Sequence, residues 1–115
     1  MFEAVSGNLE QYMNLLSVRQ KLVSSNIANA DTPGYKTQDI DFRAEFAQQM
    51  QGQECQGPQI VEPDGLTVKA DGNNVSLDRE TRLLAENAMR FSVATSLARS
   101  QLHSIQAAID EGKSS

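Results

Sequence analysis

Apolar residues recur along the first thirty positions at helical spacing. Leu9, Met13, Leu16, Val23, Ile27 and Ala30 are separated by alternating steps of four and three, with Gln20 at the one vacant step. A series of that kind lies along one side of an α-helix. Tyr12, Leu15, Val18 and Leu22 widen the stripe on one flank, so the face suits burial against more than one neighbour. The helix is expected to stop near Ala30. Pro33 disfavours helical geometry at Thr32, and Pro33-Gly34 fits the central positions of a type II turn, which makes Asp31 to Tyr35 a firm break.

The last third of the chain carries the longest pattern. Leu77, Thr81, Leu84, Ala88, Phe91, Thr95, Ala98, Leu102, Ile105 and Ile109 keep the four-three alternation throughout, which predicts a long heptad helix. Ser76 suits its N-cap, Asp78 and Glu80 stand where the helix dipole favours acids, and Gly112 with Lys113 suits the far end. At 1.5 Å per residue this helix is about 50 Å long and the N-terminal one about 33 Å. Paired side by side, they leave part of the longer stripe bare. Ala85, Ala88, Ala94, Ala98, Ala107 and Ala108 allow neighbours to approach closely. A helical hairpin whose stripes form its own core is the plain alternative; assembly with other subunits is preferred because both stripes lie at the ends and the middle is too poor to cover them.

Between the stripes, Phe42 to Met50 places two Phe four apart and reads as a short helix. Gln51 to Asn74 is rich in Gln, Gly, Pro and Asp, a composition that buries little apolar surface. Ile60-Val61-Glu62 and Leu66-Thr67-Val68 around Pro63-Asp64-Gly65 are expected to form a small hairpin. The predicted fold is therefore mainly α, with long terminal helices pairing as an antiparallel coiled-coil-like bundle and a loop-rich middle. The expected divisions are 1–36 and 76–115 for the inner helical part and 37–75 for the middle.

Composition narrows the function without naming it. Hydrophobic residues are 39% of the chain, Trp is absent, and no aromatic falls between Phe46 and Phe91. The net charge of −5, with ten basic residues scattered among fifteen acidic ones, argues against nucleic acid as a partner. Cys55 is the only cysteine, so no internal disulfide or thiolate metal cluster is expected. No apolar run is long enough for a membrane span, and Met1-Phe2-Glu3 does not open a cleavable secretory signal.

The same holds for catalysis. His103 stands alone beside the stripe, with no second ligand at metal-site spacing. Asp39-Ile40-Asp41 offers carboxylates more often solvated or capping than paired for acid-base work. The glycines follow no phosphate-loop spacing, and Asn74-Val75-Ser76 is read as leading into a helix cap rather than as a glycosylation acceptor. Neither catalysis, metal, cofactor nor small-molecule substrate is expected.

One segment is far more specific: Ser25-Asn26-Ile27-Ala28-Asn29-Ala30-Asp31-Thr32-Pro33-Gly34-Tyr35-Lys36. Asn26 and Asn29 are three apart on one helical face, able to bond backbone groups or a neighbouring subunit. Thr32, Pro33 and Gly34 set the direction of exit, and Tyr35 offers an apolar ring with a polar tip. The segment resembles the N-terminal signature of the axial proteins of the bacterial flagellum. Asp39 to Phe42, Gly72 to Glu80, Leu84 to Asn87 and Arg90-Phe91 resemble the proximal-rod type among them. The resemblance covers both ends and leaves Gln48 to Lys69 unmatched. It implies a rod subunit of the basal body, passed through the flagellar type III export gate on an uncleaved signal. Its implied partners are its own copies, other rod proteins, the ring-to-rod adaptor and the membrane ring. Another rod subunit, or a soluble helical export chaperone or adaptor, is the rival reading.

Overall fold

The computed structural model describes residues 2–52 and 57–114, with side chains described over 7–52 and 57–113; Cys55 lies outside the described residues. In chain order the elements are helix α1 (Phe2–Ala28), strand β1 (Asp39–Ile40), helix α2 (Phe42–Met50), strand β2 (Ile60–Val61) and helix α3 (Leu77–Ser114). The long helices run antiparallel. Asn87 donates its side-chain amide to the Leu16 carbonyl at 3.2 Å, Arg90 meets the Tyr12 hydroxyl at 3.5 Å, and Asn73 ahead of α3 bonds the Asn29 carbonyl behind α1. With 27 residues in α1 and 38 in α3, the lengths are about 40 and 57 Å. The molecule is accordingly a slim 72 × 27 × 17 Å body.

The breaks between elements follow local chemistry. After α1, the Tyr35 amide bonds the Thr32 carbonyl at 3.2 Å and Gly34 takes φ +76°, the geometry of a type II turn with Pro33 and Gly34 at its centre. Asp41 caps α2 by accepting from the Ala44 amide. Ser76 starts α3, its hydroxyl accepting from the Arg79 amide and its carbonyl from the Glu80 amide.

The apolar core is small and sits where α2 lies across α1. Leu15, Leu22 and Ile40 form its centre, with Val18, Phe42 and Phe46 packed around them. Tyr12 meets the edges of both Phe rings at 5.4 and 5.5 Å, while the two Phe stack at 6.4 Å. Such ring pairs add about 0.5–1.5 kcal/mol each beyond the area they bury. Leu16 and Val23 of α1 and Leu83 and Ala94 of α3 are also buried.

The small sheet differs from the expected hairpin. Ile60-Val61 pairs antiparallel with Asp39-Ile40, in the register Asp39 with Val61 and Ile40 with Ile60, while Leu66-Thr67-Val68 forms no strand. The cause is Asp39-Ile40: the aspartate is pinned by arginines of both long helices and the isoleucine is in the core. That leaves a fixed backbone edge for Ile60-Val61 to complete, with α2 spanning the interval.

Replacing Phe46 by Ala removes the ring that meets Tyr12 and stacks on Phe42. Urea denaturation should show a loss of about 2–3 kcal/mol, below the value for a fully buried Phe because this ring is only half-buried.

Candidate assembly interface

Where α1 ends, asparagines take over from apolar packing. Asn26 is fully buried; its amide donates to the Gln38 carbonyl at 2.8 Å, and its oxygen accepts from the Gln38 amide and the Tyr35 hydroxyl, both at 3.0 Å. Asn29 donates to the Ser25 carbonyl and accepts from the Thr32 hydroxyl. From the other side, Asn73 donates to the carbonyls of Asn29 and Thr32, and Asn74 accepts from the amide and hydroxyl of Thr37. The turns also touch directly, with the Gly34 amide donating to the Asp71 carbonyl at 2.9 Å. A side chain added at Gly72 would stand 3.4 Å from the Gly34 backbone. Both glycines have positive φ, a conformation other residues adopt at a cost.

A charge cluster ties this knot to the helices. Arg19 of α1 grips both oxygens of Asp39 at 3.2 and 3.1 Å, and Arg79 of α3 reaches the same carboxylate at 2.5 Å and Glu80 at 2.8 Å. Asp39 and Glu80 are both buried. Two cations thus face two anions, and removal of any one would strand a charge of the opposite sign. Asp39, read from sequence as a solvated or capping carboxylate, is therefore the ionic hinge between α1, β1 and α3; only Asp41 is a cap. Glu80 Oε2 has no partner.

The expected motif residues divide by exposure. Asn26 is buried and Asn29 and Tyr35 are half-buried, whereas Ile27, Asp31, Thr32, Pro33 and Gly34 are exposed. The expected packing residues divide as well. In α1, Leu16 and Val23 are buried and Leu9 and Met13 half-buried. In α3, Leu77, Leu84, Ala88, Phe91, Leu102, Ile105 and Ile109 are exposed and Ala98 is half-buried. The line of α3 turned toward α1 runs instead through Glu80, Leu83, Asn87 and Ala94. Leu83 lies outside the expected stripe, and Ala94 was expected only as a small residue of close approach, because polar Glu80, Asn87 and Arg90 interrupt their row; the steps of four and three from Leu83 through Asn87 and Arg90 to Ala94 are the signal that marks it.

Two open grooves flank the helix pair. One, of about 440 Å³, is lined by Leu16, Ser17, Gln20, Leu84, Asn87, Ala88 and Phe91. The other, of about 710 Å³, lies between Leu9 and Tyr12, Phe46, and Met89, Val93 and Leu97. Both are mainly apolar. Among the described residues, no group of His, Cys, Asp and Glu converges as a metal site, and no helix is long and apolar enough to cross a membrane. His103 is exposed near the end of α3. Much of the exposed surface of α3 is apolar, with Met89, Val93, Leu97 and Leu102 all more than half exposed.

Such an architecture defines a helical subunit with more apolar face than it covers, and the comparisons agree on its class. A family model for "Flagella basal body rod protein" matches residues 13–36, the second half of α1 and the turn that follows. The flagellar basal body rod protein FlgB of Salmonella typhimurium is 30% identical over 125 residues, covering 90% of this chain and 91% of that protein. FlgB of Escherichia coli aligns equally well, and FlgB of Bacillus subtilis is 25% identical over 98% of both chains. The chain belongs to the family of flagellar basal body rod proteins. Within that family, its similarity is to the proteins named FlgB.

Asn26→Leu keeps the branching of the side chain, with somewhat more bulk, but leaves the Gln38 amide and carbonyl without their partner. Chemical denaturation should register a loss of about 3 kcal/mol, with the helix content by circular dichroism retained in the folded state.

Proposed function

We propose that this chain is a structural subunit of the proximal rod of the bacterial flagellum. It polymerises through its terminal helices with its own copies and with other rod proteins, and the packed helices pass torque from the membrane ring to the hook. The observation that carries this reading is the exposure of apolar α3 residues on both sides of the line that meets α1. Leu84, Phe91 and Leu102 lie on one side, and Met89, Val93 and Leu97 on the other. Large apolar faces of this kind are interaction surfaces, and two of them on one helix fit a subunit enclosed by neighbours.

Family membership supports the remaining parts of the proposal. The subunit passes the flagellar type III export gate with no cleaved signal and reaches the periplasmic part of the basal body. There it meets the ring-to-rod adaptor and the membrane ring. Its work is mechanical rather than catalytic. The turn formed by Asp31, Thr32, Pro33 and Gly34 is the exposed part of its assembly motif, held in position by Asn26, Asn29 and Tyr35 beneath.

Leu102→Asp places a carboxylate at a position 64% exposed, and Leu84→Asp places one in the open groove lined by Leu16, Ala88 and Phe91. Cells carrying either variant should make the protein at normal level but lack rods and motility. Normal basal bodies by electron microscopy in both strains would refute the role of this face.

A further inference from the structure

The heptad row that periodicity picks out on α3 is left uncovered by the fold. Leu77, Leu84, Phe91 and Leu102 are 52%, 37%, 40% and 64% exposed, with Thr81 and Ala88 exposed between them. The row lies roughly 80° round the helix from the line that meets α1. It borders the smaller groove, whose walls include Leu16, Gln20, Leu84, Ala88 and Phe91. We propose that this seam binds the same seam of a second, antiparallel copy about a two-fold axis, as a weak dimer of the free protein. The proposal does not depend on the rod reading.

Side-chain size selects the antiparallel order. Parallel copies in register would set Phe91 on Phe91 and Ala88 on Ala88, one layer too wide and the next too narrow to pack together. Reversing one copy sets the two alternating seam positions against each other. With the axis between Ala88 and Phe91, the layers become Ala88 with Phe91, Leu84 with Thr95, Thr81 with Ala98 and Leu77 with Leu102, each occurring twice. The overlap from Leu77 to Leu102 is about 38 Å long. Because the axis crosses the groove, the two grooves close on each other.

Charge selects the register. The flank of the seam turned away from α1 carries Asp78, Ala85, Ser92 and Arg99, all exposed. In an antiparallel pair this flank runs beside its own copy. The register above brings Asp78 of each chain next to Arg99 of the other and leaves the small Ala85 beside Ser92. Moving the axis to lie between Phe91 and Thr95 would overlap more of the row, but it sets Asp78 against Gln106 and Arg99 against Ala85. Both ion pairs are then lost.

The rest of each copy fits around the seam. The line that meets α1 is the other flank of the row, so both α1 helices fall on one side of the α3 pair, and the four helices form a two-layer antiparallel bundle. Ser17 on the groove wall and Ser24 two turns further on are exposed where α1 approaches its copy, and small residues let helices pass closely. Thr and Ala fill half of the seam positions from Leu77 to Leu102, which puts the contact in the weak, reversible class. A two-fold pair is closed, so the dimer hides the row without starting an array.

Sedimentation equilibrium of the purified full chain in reducing buffer, at about 0.01 to 1 mM, tests this. Monomer should pass to dimer and to nothing larger. Asp78→Arg and Arg99→Asp should each weaken the dimer about tenfold, since each turns two attractive pairs into repulsive ones. Mixed in equal amounts, these two variants should pair as tightly as the parent, because the mixed dimer restores both ion pairs in exchanged order. Arg82→Glu and Glu86→Arg, on the opposite side of α3, should change nothing alone or mixed. Leu84→Asp, with its helix content checked by circular dichroism, should leave only monomer. A parent that stays monomeric at about 1 mM or grows beyond a dimer would overturn the two-fold seam. So would charge variants that do not recover on mixing, and none of these results would touch rod membership.

Discussion

A helix that lies against one other helix can hide one line of side chains, and every larger feature of this molecule follows from that limit. α3 spends its covered line on Glu80, Leu83, Asn87 and Ala94, two of which are polar. Its larger apolar residues stand to either side of the line, where α1 cannot reach them. Phe42 and Phe46 of the 9-residue α2 pack on α1 and β1, and toward α3 the Phe42 ring meets Arg90 at 6.0 Å. The surplus is built into the order of residues along α3, and refolding of the same chain would not remove it.

Polar chemistry fixes what scarce apolar surface does not. The loops between α1 and α3 have few side chains for a core, yet Asn26, Asn73 and Asn74 are buried with their amides turned toward main-chain atoms and hydroxyls. An amide side chain both donates and accepts, so one asparagine can complete an irregular stretch of backbone that no ladder satisfies. Arg19, Asp39, Arg79 and Glu80 do the same at the joint between the helices and the sheet. Bonds of this type depend strongly on direction. They set the offset and angle between α1 and α3, whereas apolar contacts, which are non-directional, tolerate sliding. Asn87, bonded to Leu16 and Gln20 across the seam, adds one more fixed point, in the way a single polar residue sets register in coiled coils.

Much of this was legible in the sequence. Both long helices, the short helix Phe42–Met50 and the Thr-Pro-Gly turn follow from periodicity and local chemistry, because each depends on residues near one another in the chain. The strand partner was not legible. Leu66-Thr67-Val68 has as good a strand composition as Ile60-Val61, and the choice was made by Arg19 and Arg79 holding Asp39 from 20 and 40 residues away. The inward line of α3 was hidden for a related reason: Glu80 and Asn87 occupy it only because Arg79, Leu16 and Gln20 supply their partners. Long-range polar pairing leaves no period to read.

The same distinction bears on the segment that carries the family signature. Residues 13–36 match the family model, and within them Asn26 and Asn29 point their polar atoms into their own chain, while Tyr35 bonds Asn26 and lies 3.2 Å from the Ser25 hydroxyl. Side chains already satisfied in this way have little left to offer a neighbour. What remains outside is the turn they hold: Asp31, Thr32, Pro33 and Gly34, together with Lys36, which bonds the Gly72 carbonyl. A neighbouring subunit at this corner would therefore meet a rigid ridge of backbone and short side chains rather than the asparagines. Under the function proposed above, the amides would serve to make that ridge the same in every copy, since subunits that repeat a contact must present the same surface each time.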